Sequence, residues 1–569
     1  MQPPCAVGID LGTTNSAVAF VDDKGRTQMV PNEEGETLTP SVVLFGKQEV
    51  VVGRQARNAG QVDPEMVAQW VKRDMGSPVY SHPIMGRFLP PEVIQACILR
   101  KIRGEVASRL GPEARVVVTV PAYFDEARRK ATADAGEMAG LSVLDIVNEP
   151  TAAALAFGEQ LGYLAPGGEV KAPMTVLVYD LGGGTFDTTL LRLAPGDIRT
   201  LATDGDVQLG GYDWDLRLVD YAADAFERSF GIDPRKDRLT LNRLIQTATE
   251  AKHTLSVRSR ASLRIEMQGK ASEVQVTREQ FEELTADLLE RTRYTTRQLF
   301  LEAKVDPASL DRVLLVGGST RMPMVAAMVN ELTGLEPDRT VNPDEAVARG
   351  AALYAGYRLA QSRPDSTGPG FQVTQVNAHS LGVEGIDPQT LRKANIILIP
   401  RNTALPAKAK ERFATKTANQ RSIVVQVLEG ESSIPGECRA IGRTVIRDLP
   451  EGLTQGWPVE VCFEYESNGR LRVDGSVPGT HQRTRLELLR AAGLNGAGIA
   501  RWKQPVEHAG AGSPAICSVA GNSANGKSGP HTRLPVPLWL FNLAGHVVAA
   551  TAGLAMGYLV LKWMGISLF

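Results

Sequence analysis

Two stretches of this chain carry the same pattern. In Val7-Gly-Ile-Asp-Leu-Gly-Thr-Thr-Asn15 and Val178-Tyr-Asp-Leu-Gly-Gly-Gly-Thr-Phe-Asp187, an apolar run predicts a β-strand, which meets an Asp and then a Gly/Thr turn. From residue 1 to about 362, β-runs alternate with helical stretches, as in Val116-Val-Val-Thr-Val120 followed by residues 125–140, which predicts an α/β architecture. Residues 362–370 are rich in Pro, Gly and Ser and read as a linker. From about 377 to 480 the period shortens to two, as in Ser422-Ile-Val-Val-Gln-Val-Leu428 and Val459-Glu-Val-Cys-Phe-Glu-Tyr465, which predicts a compact all-β domain. Arg483 to Ala492 suits one short helix, and Gly, Ala, Ser and Asn then dominate to Pro530, the composition of a flexible tether.

The C-terminal stretch differs again. Leu538 to Leu561 carries no formal charge over about 24 residues, enough as a helix to cross a hydrocarbon core of roughly 30 Å. Trp539 and Trp563 stand near its two ends, with Lys562 placed to snorkel. A membrane anchor over 534–563 is the expectation; a buried C-terminal helix containing Asn542 and His546 is the alternative.

Composition narrows the function classes. At 569 residues the chain exceeds one core, and its net charge of −2 gives no field that recruits nucleic acid. The five cysteines (Cys5, Cys97, Cys438, Cys462, Cys517) form no CxxC pair, so structural zinc is not expected and reduced thiols fit a cytosolic setting. A strand begins within a few residues of Met1, leaving no room for a cleavable signal peptide.

The repeated turns point to phosphate. Glycines let backbone NH groups approach an anion closely and Thr hydroxyls add donors, so two facing turns can hold a phosphate chain from both sides. Asp10 and Asp180, at the strand ends, suit a hydrated Mg²⁺. One copy alone reads as a structural turn; the matched pair carries the inference.

Further motifs accompany them: Val118-Thr-Val-Pro-Ala-Tyr-Phe124, Asn148-Glu-Pro-Thr-Ala-Ala-Ala-Leu155, Leu314-Leu-Val-Gly-Gly-Ser-Thr-Arg-Met-Pro323 and Val341-Asn-Pro-Asp-Glu-Ala-Val-Ala348. With these the chain resembles the seventy-kilodalton heat-shock chaperones of the DnaK type over about residues 5–480. The resemblance implies an actin-like ATPase domain of two duplicated lobes (1–362), a linker (363–376) and a β-sandwich that binds extended apolar polypeptides (377–490). A tether (491–533) and the anchor (534–563) would follow. It further implies ATP or ADP with Mg²⁺, K⁺ as a second cation, unfolded polypeptides as clients and a nucleotide-exchange factor as partner.

The resemblance also assigns residues. Gly12, Thr13 and Thr14 would meet phosphate from one lobe and Gly182, Gly183, Gly184 and Thr185 from the other. Lys72 would meet charge on the transferred phosphoryl group and Glu149 would orient water. Outside the motifs these two read as an exposed helix lysine and a helix N-terminal acid before Pro150. Gly317, Gly318, Ser319, Arg321 and Asp344 would form the nucleoside side, with Glu250, Lys252, His253 and Ser256 on a covering helix. Pro121 and Arg129 match a relay to the linker, Pro121 reading equally as a strand terminator. Ile396 and Ile423 match the peptide groove, or plain sandwich core.

Three features depart from the family. The linker Phe371-Gln-Val-Thr-Gln-Val376 is only half apolar, so weaker docking is expected; Asp145 replaces a basic residue, which argues against an ordinary J-domain partner; and no helical lid follows the β-domain. The expectation is a lid-less ATP-dependent chaperone on a membrane, its large domains cytoplasmic. A nucleotide-switched membrane adaptor serving one partner is the alternative.

Overall fold

The computed structural model describes residues 5–46, 49–164, 172–361, 371–387, 389–466, 471–487, 494, 496–509 and 516. The duplicated pattern becomes a duplicated sheet. In the first lobe Ala6–Leu11 pairs antiparallel with Asn15–Val21 and parallel with Arg115–Val120, which carries Val143–Asn148 on its far side. In the second lobe Met174–Leu181 pairs antiparallel with Phe186–Ala194 and parallel with Arg312–Val316. Each central strand thus delivers its Asp and its Gly/Thr turn at the same end of its sheet.

Two alanine-rich helices, Glu149–Gln160 and Ala346–Gln361, pack between the sheets, and their small residues decide how close the lobes come. A Cβ on Gly350 would collide with the Ala152 carbonyl oxygen, and one on Gly8 with the backbone of Ala351 and Ala352. Backbone meets backbone there, so no rotamer change makes room.

The β-domain is a sandwich of two four-stranded sheets. Leu381–Ile386 lies between Lys393–Ile399 and Ile423–Glu429, with Arg439–Ile446 beyond; Ala407–Ala414, Pro458–Tyr465, Leu471–Ser476 and Arg483–Glu487 follow in order in the other. Val383, Val425, Val427, Val461, Phe463 and Val473 alternate inward from both sheets and make the core. The short helix expected from Arg483 is a strand as far as Glu487, because those residues complete the ladder on Leu471–Ser476.

The linker is docked on the second lobe. Gln372–Thr374 adds as a parallel strand to Asp197–Arg199, and Phe371 is buried with its ring stacked 5.0 Å from that of Tyr357. Main-chain pairing and one aromatic contact thus stand where an apolar run was missing.

The segment expected to be a tether holds a helix. In Gly496–Glu507, Ile499, Trp502 and Val506 lie at helical spacing and are buried in the first-lobe core beside Pro91–Leu110 and Glu126–Met138. Leu494 N–H donates to Glu92 Oε1 (3.1 Å), and Val50 N–H donates to the Ala509 carbonyl (2.9 Å). The rest of the expected tether, Ile516 apart, and the whole anchor lie outside the described residues; among these no helix is long and apolar enough to cross a membrane.

Replacing Gly350 with Ala tests the backbone contact. Helix propensity favours the change by about 1 kcal/mol, but overpacking against backbone costs about 3, so a net loss of about 2 kcal/mol is expected in urea unfolding. A stabilised variant would contradict the packing.

Candidate nucleotide cleft and its link to the sandwich

The two turns interlock. A Cβ on Gly183 would strike Thr14 Oγ1, and one on Gly184 would stand 2.5 Å from Thr13 Cγ2, so only glycine permits the approach. Behind the second turn, Gly211 N–H donates to Gly182 O (2.9 Å) and Tyr212 N–H to Gly183 O (2.8 Å), fixing its shape from the start of the helix Gly211–Phe230.

Lys72 lies under these turns on the 3₁₀ segment Val71–Asp74, and its ammonium donates to Glu149 Oε1 at 2.5 Å. Both side chains are almost wholly buried. Asp10, Asp180 and Asp187 crowd the same space. Burial and the neighbouring Glu149 charge raise the Asp10 and Asp187 carboxyls to about 7 each, and raise Asp180 well above the carboxylate range. Burial alone would lower Lys72, but the charges of Glu149, Asp10 and Asp180 raise it, so the ammonium stays protonated. Thr119 Oγ1 donates to Asp10 Oδ1 (3.2 Å), and Thr185 is buried at the second turn.

One ammonium is too little to keep four crowded carboxyls ionised, and a divalent cation would favour their charged forms. Among the described residues no three His, Cys, Asp or Glu side chains converge for direct coordination. Asp10 and Asp180 would therefore suit a hydrated Mg²⁺ rather than a directly caged ion.

The other named residues form a second group beside the cleft. Gly317 has φ 81° and abuts the Leu181 carbonyl, and Ser319 Oγ donates to Gly182 O (2.8 Å), joining the Gly317–Ser319 turn to the phosphate turn. Lys252 is turned inward, to Asp215 Oδ1 (2.8 Å) and Gly211 O (2.8 Å). Arg321 pairs with Asp344 at 2.5 Å, both partly open to solvent, and Gly318 lies against that Asp. Glu250 and His253 are exposed on the helix Arg238–Val257, and Ser256 Oγ bonds back to Lys252 O (3.0 Å). Although His253 reaches solvent, partial desolvation of its ring, then the Lys252 charge, lowers its pKa.

From Glu149 a polar path runs to the linker. Arg129 donates to Phe124 O (3.2 Å), to Ala122 O and to Asn148 Oδ1, while Asn148 N–H donates to Gln375 Oε1 at 3.2 Å. Pro121 is buried at the end of the strand that bears Thr119. Gln375 and Asn148 carried no signal as a contact in the sequence; their pairing exists only in the fold. The Asp145 carboxylate, whose sign was read as arguing against a J-domain partner, points inward to Arg358 Nε (3.0 Å) and Tyr354 OH (3.1 Å), so that sign serves internal packing.

The sandwich meets both lobes through polar groups, chiefly the first. Tyr465 OH donates to Glu126 Oε1 (2.6 Å), Glu126 N–H donates to Glu429 Oε1 (3.2 Å), and Arg439 bridges Asp125 and Gly76 O. His379 Nε2 bonds to Tyr123 O (3.1 Å), and Arg401 reaches Asp204 (3.3 Å) and Glu302 (3.2 Å). Of the groove candidates, Ile396 and Ile423 are half-buried, with Ile423 packed on the sandwich core, while Ile397 and Val424 beside them are the more exposed.

This interface sets a pH dependence. Burial raises Glu126 to about 7, against the opposing Tyr465 bond and Arg129, and burial with the Asp125 and Glu126 charges raises Glu429 further. A raised carboxyl is neutral in the docked state, so its contribution is complete at low pH and is lost as pH rises through about 7. Burial lowers His379, so its contribution opposes docking only on acidification below the usual imidazole range. Small-angle scattering should show the radius of gyration increasing as pH rises from about 5 to above about 7, with Glu126→Gln removing its share of the change and Glu126→Gln combined with Glu429→Gln removing most of it. Expansion on acidification over that window would contradict it.

Comparison with known proteins agrees with this architecture. The family described as Hsp70 protein matches residues 6–512. Relatives named chaperone protein DnaK include one from Thermus thermophilus, 39% identical over 527 residues, covering 87% of this chain and 82% of the relative. Another, from Deinococcus proteolyticus, is 38% identical over 534 residues, covering 88% and 81%. Two interlocked glycine turns around a buried lysine–glutamate pair, a docked linker strand and a β-sandwich thus belong to a member of the Hsp70 family.

Proposed function

We propose that this chain is an ATP-dependent chaperone whose cleft binds and hydrolyses ATP and whose sandwich holds extended apolar polypeptide. One observation carries the reading: the Lys72–Glu149 pair lies beneath the interlocked turns, and the residue before Glu149 is bonded to the linker through Gln375. Thr13, Thr14 and Gly182–Thr185 hold the phosphates with backbone NH and hydroxyl donors. Asp10 and Asp180 would hold a hydrated Mg²⁺, which when bound would supply positive charge against the phosphates. Lys72, kept protonated by its carboxylates, faces the negative charge that develops on the transferred group, and Glu149 orients the attacking water. Gly317–Ser319, Arg321 and Asp344 hold the nucleoside against the helix bearing Glu250, Lys252, His253 and Ser256. Pro121 and Arg129 relay the state of the cleft to the linker, and Ile396 and Ile423 line the groove.

The reading includes a lid-less groove, supported by the helix Gly496–Glu507 packing on the first lobe rather than over the sandwich. Client residence is then short, since a missing barrier to escape acts on off-rate. It extends to a single-pass anchor at 534–563 with the large domains cytoplasmic, supported by the uncharged run from Leu538 to Leu561.

Lys72→Ala should retain ATP binding and lower single-turnover hydrolysis by at least about a hundredfold, the scale of losing one preorganised charge at a transition state. Unchanged turnover would remove Lys72 from the reaction. Deleting residues after Pro530 should give a soluble ATPase of unaltered rate; a truncated chain that stayed with membranes through a carbonate wash would refute the anchor.

A further inference from the structure

A cluster of side chains bridges the lobes just outside the phosphate turns. Trp70 belongs to the first lobe, yet its ring packs on the second-lobe core, 4.4 Å centroid to centroid from Tyr212. Arg73 stacks over the same Tyr212 ring at 5.2 Å and forks onto Asp213, 2.9 and 3.1 Å to its two oxygens. Gln208 closes the arrangement by donating to Arg73 O (2.9 Å) while accepting from its guanidinium. Further along the seam Gln69 Nε2 donates to Asn242 Oδ1 (2.8 Å).

Each end of this group is wired to the cleft. Trp70 has φ 57°, left-handed for a bulky aromatic residue, and it caps the 3₁₀ segment that bears Lys72. Tyr212 donates its N–H to Gly183 O (2.8 Å), and Asp213 accepts from Gly210 N–H (2.8 Å) directly behind Gly184. The lobes cannot part at the phosphates without separating the Trp70–Tyr212 rings and the Arg73–Asp213 pair.

We propose that Trp70, Tyr212, Arg73 and Asp213 form an interlobe clasp that retains bound nucleoside diphosphate, so that breaking the clasp limits nucleotide release. The proposal rests on the reading of the cleft as an adenine-nucleotide site. The strain at Trp70 is sustained by its ring in the second lobe, so the closed cleft also holds Lys72 in place. These are retention and positioning residues; they do not enter the hydrolysis step.

The test is stopped-flow release of a fluorescent N-methylanthraniloyl ADP from the full-length protein in Mg²⁺, chased with unlabelled ADP. Absence of binding to the wild type would refute the site reading itself. Given binding, Trp70→Ala and Tyr212→Ala should each accelerate release about tenfold, the scale of an aromatic pair together with its burial. The double variant should be no more than about twofold faster than either single, because one shared contact is lost. Trp70→Phe and Tyr212→Phe should stay within about twofold of wild type, since a ring remains to stack. Leucine at each position is the second variant if alanine prevents folding, and it is held to the same criterion. Release by either alanine or leucine variant within about twofold of wild type, or effects that multiply in the double variant, would overturn the clasp.

Discussion

A single buried ion pair organises this molecule. Lys72 and Glu149 meet at 2.5 Å inside a cleft that Asp10, Asp180 and Asp187 crowd with further carboxyls. Burying a lysine is costly unless its charge is matched, and carboxylates crowded out of water are driven toward their neutral form. The arrangement persists because the ammonium is shared by several carboxylates, and it leaves the site with a standing demand for cation and phosphate. A pocket evolved only for stability would more simply be apolar.

The geometry around that pair depends on residues with almost no side chain. Gly183 and Gly184 let the two turns interlock with Thr14 and Thr13, and Gly8 and Gly350 let the central helices lie against strand and helix backbone. Because the Gly8 and Gly350 contacts are with backbone, no rotamer change can relax them. Asn148, next to Glu149, is the residue that bonds Gln375 of the linker. The docked sandwich, held by Arg439, Tyr465 and His379, sits at the far end of the same path.

Much of this was legible in the sequence because it is local. The repeated strand, Asp and Gly/Thr turn specify their own conformation, and the motif around Lys72 and Glu149 names their neighbours. What escaped was set by tertiary contact. Ile499, Trp502 and Val506 are spaced as a helix face but sit among Gly and Ala, so the composition of a tether hid a packed helix. Arg483–Glu487 became a strand because a ladder edge was open to it. Asp145 looked like a surface charge until Tyr354 and Arg358, more than two hundred residues away in sequence, were folded over it. Likewise nothing near Trp70 announces Tyr212.

The central claim is that the interlocked turns and the buried pair enclose one magnesium-bound adenine nucleotide. Calorimetric titration of the protein with ADP and with ATP, each with Mg²⁺, tests it most directly. The account predicts saturable heat at one nucleotide per chain, abolished when a side chain is introduced at Gly183. Absence of heat at ample protein concentration, or undiminished binding in a Gly183→Val protein that remains folded, would contradict it.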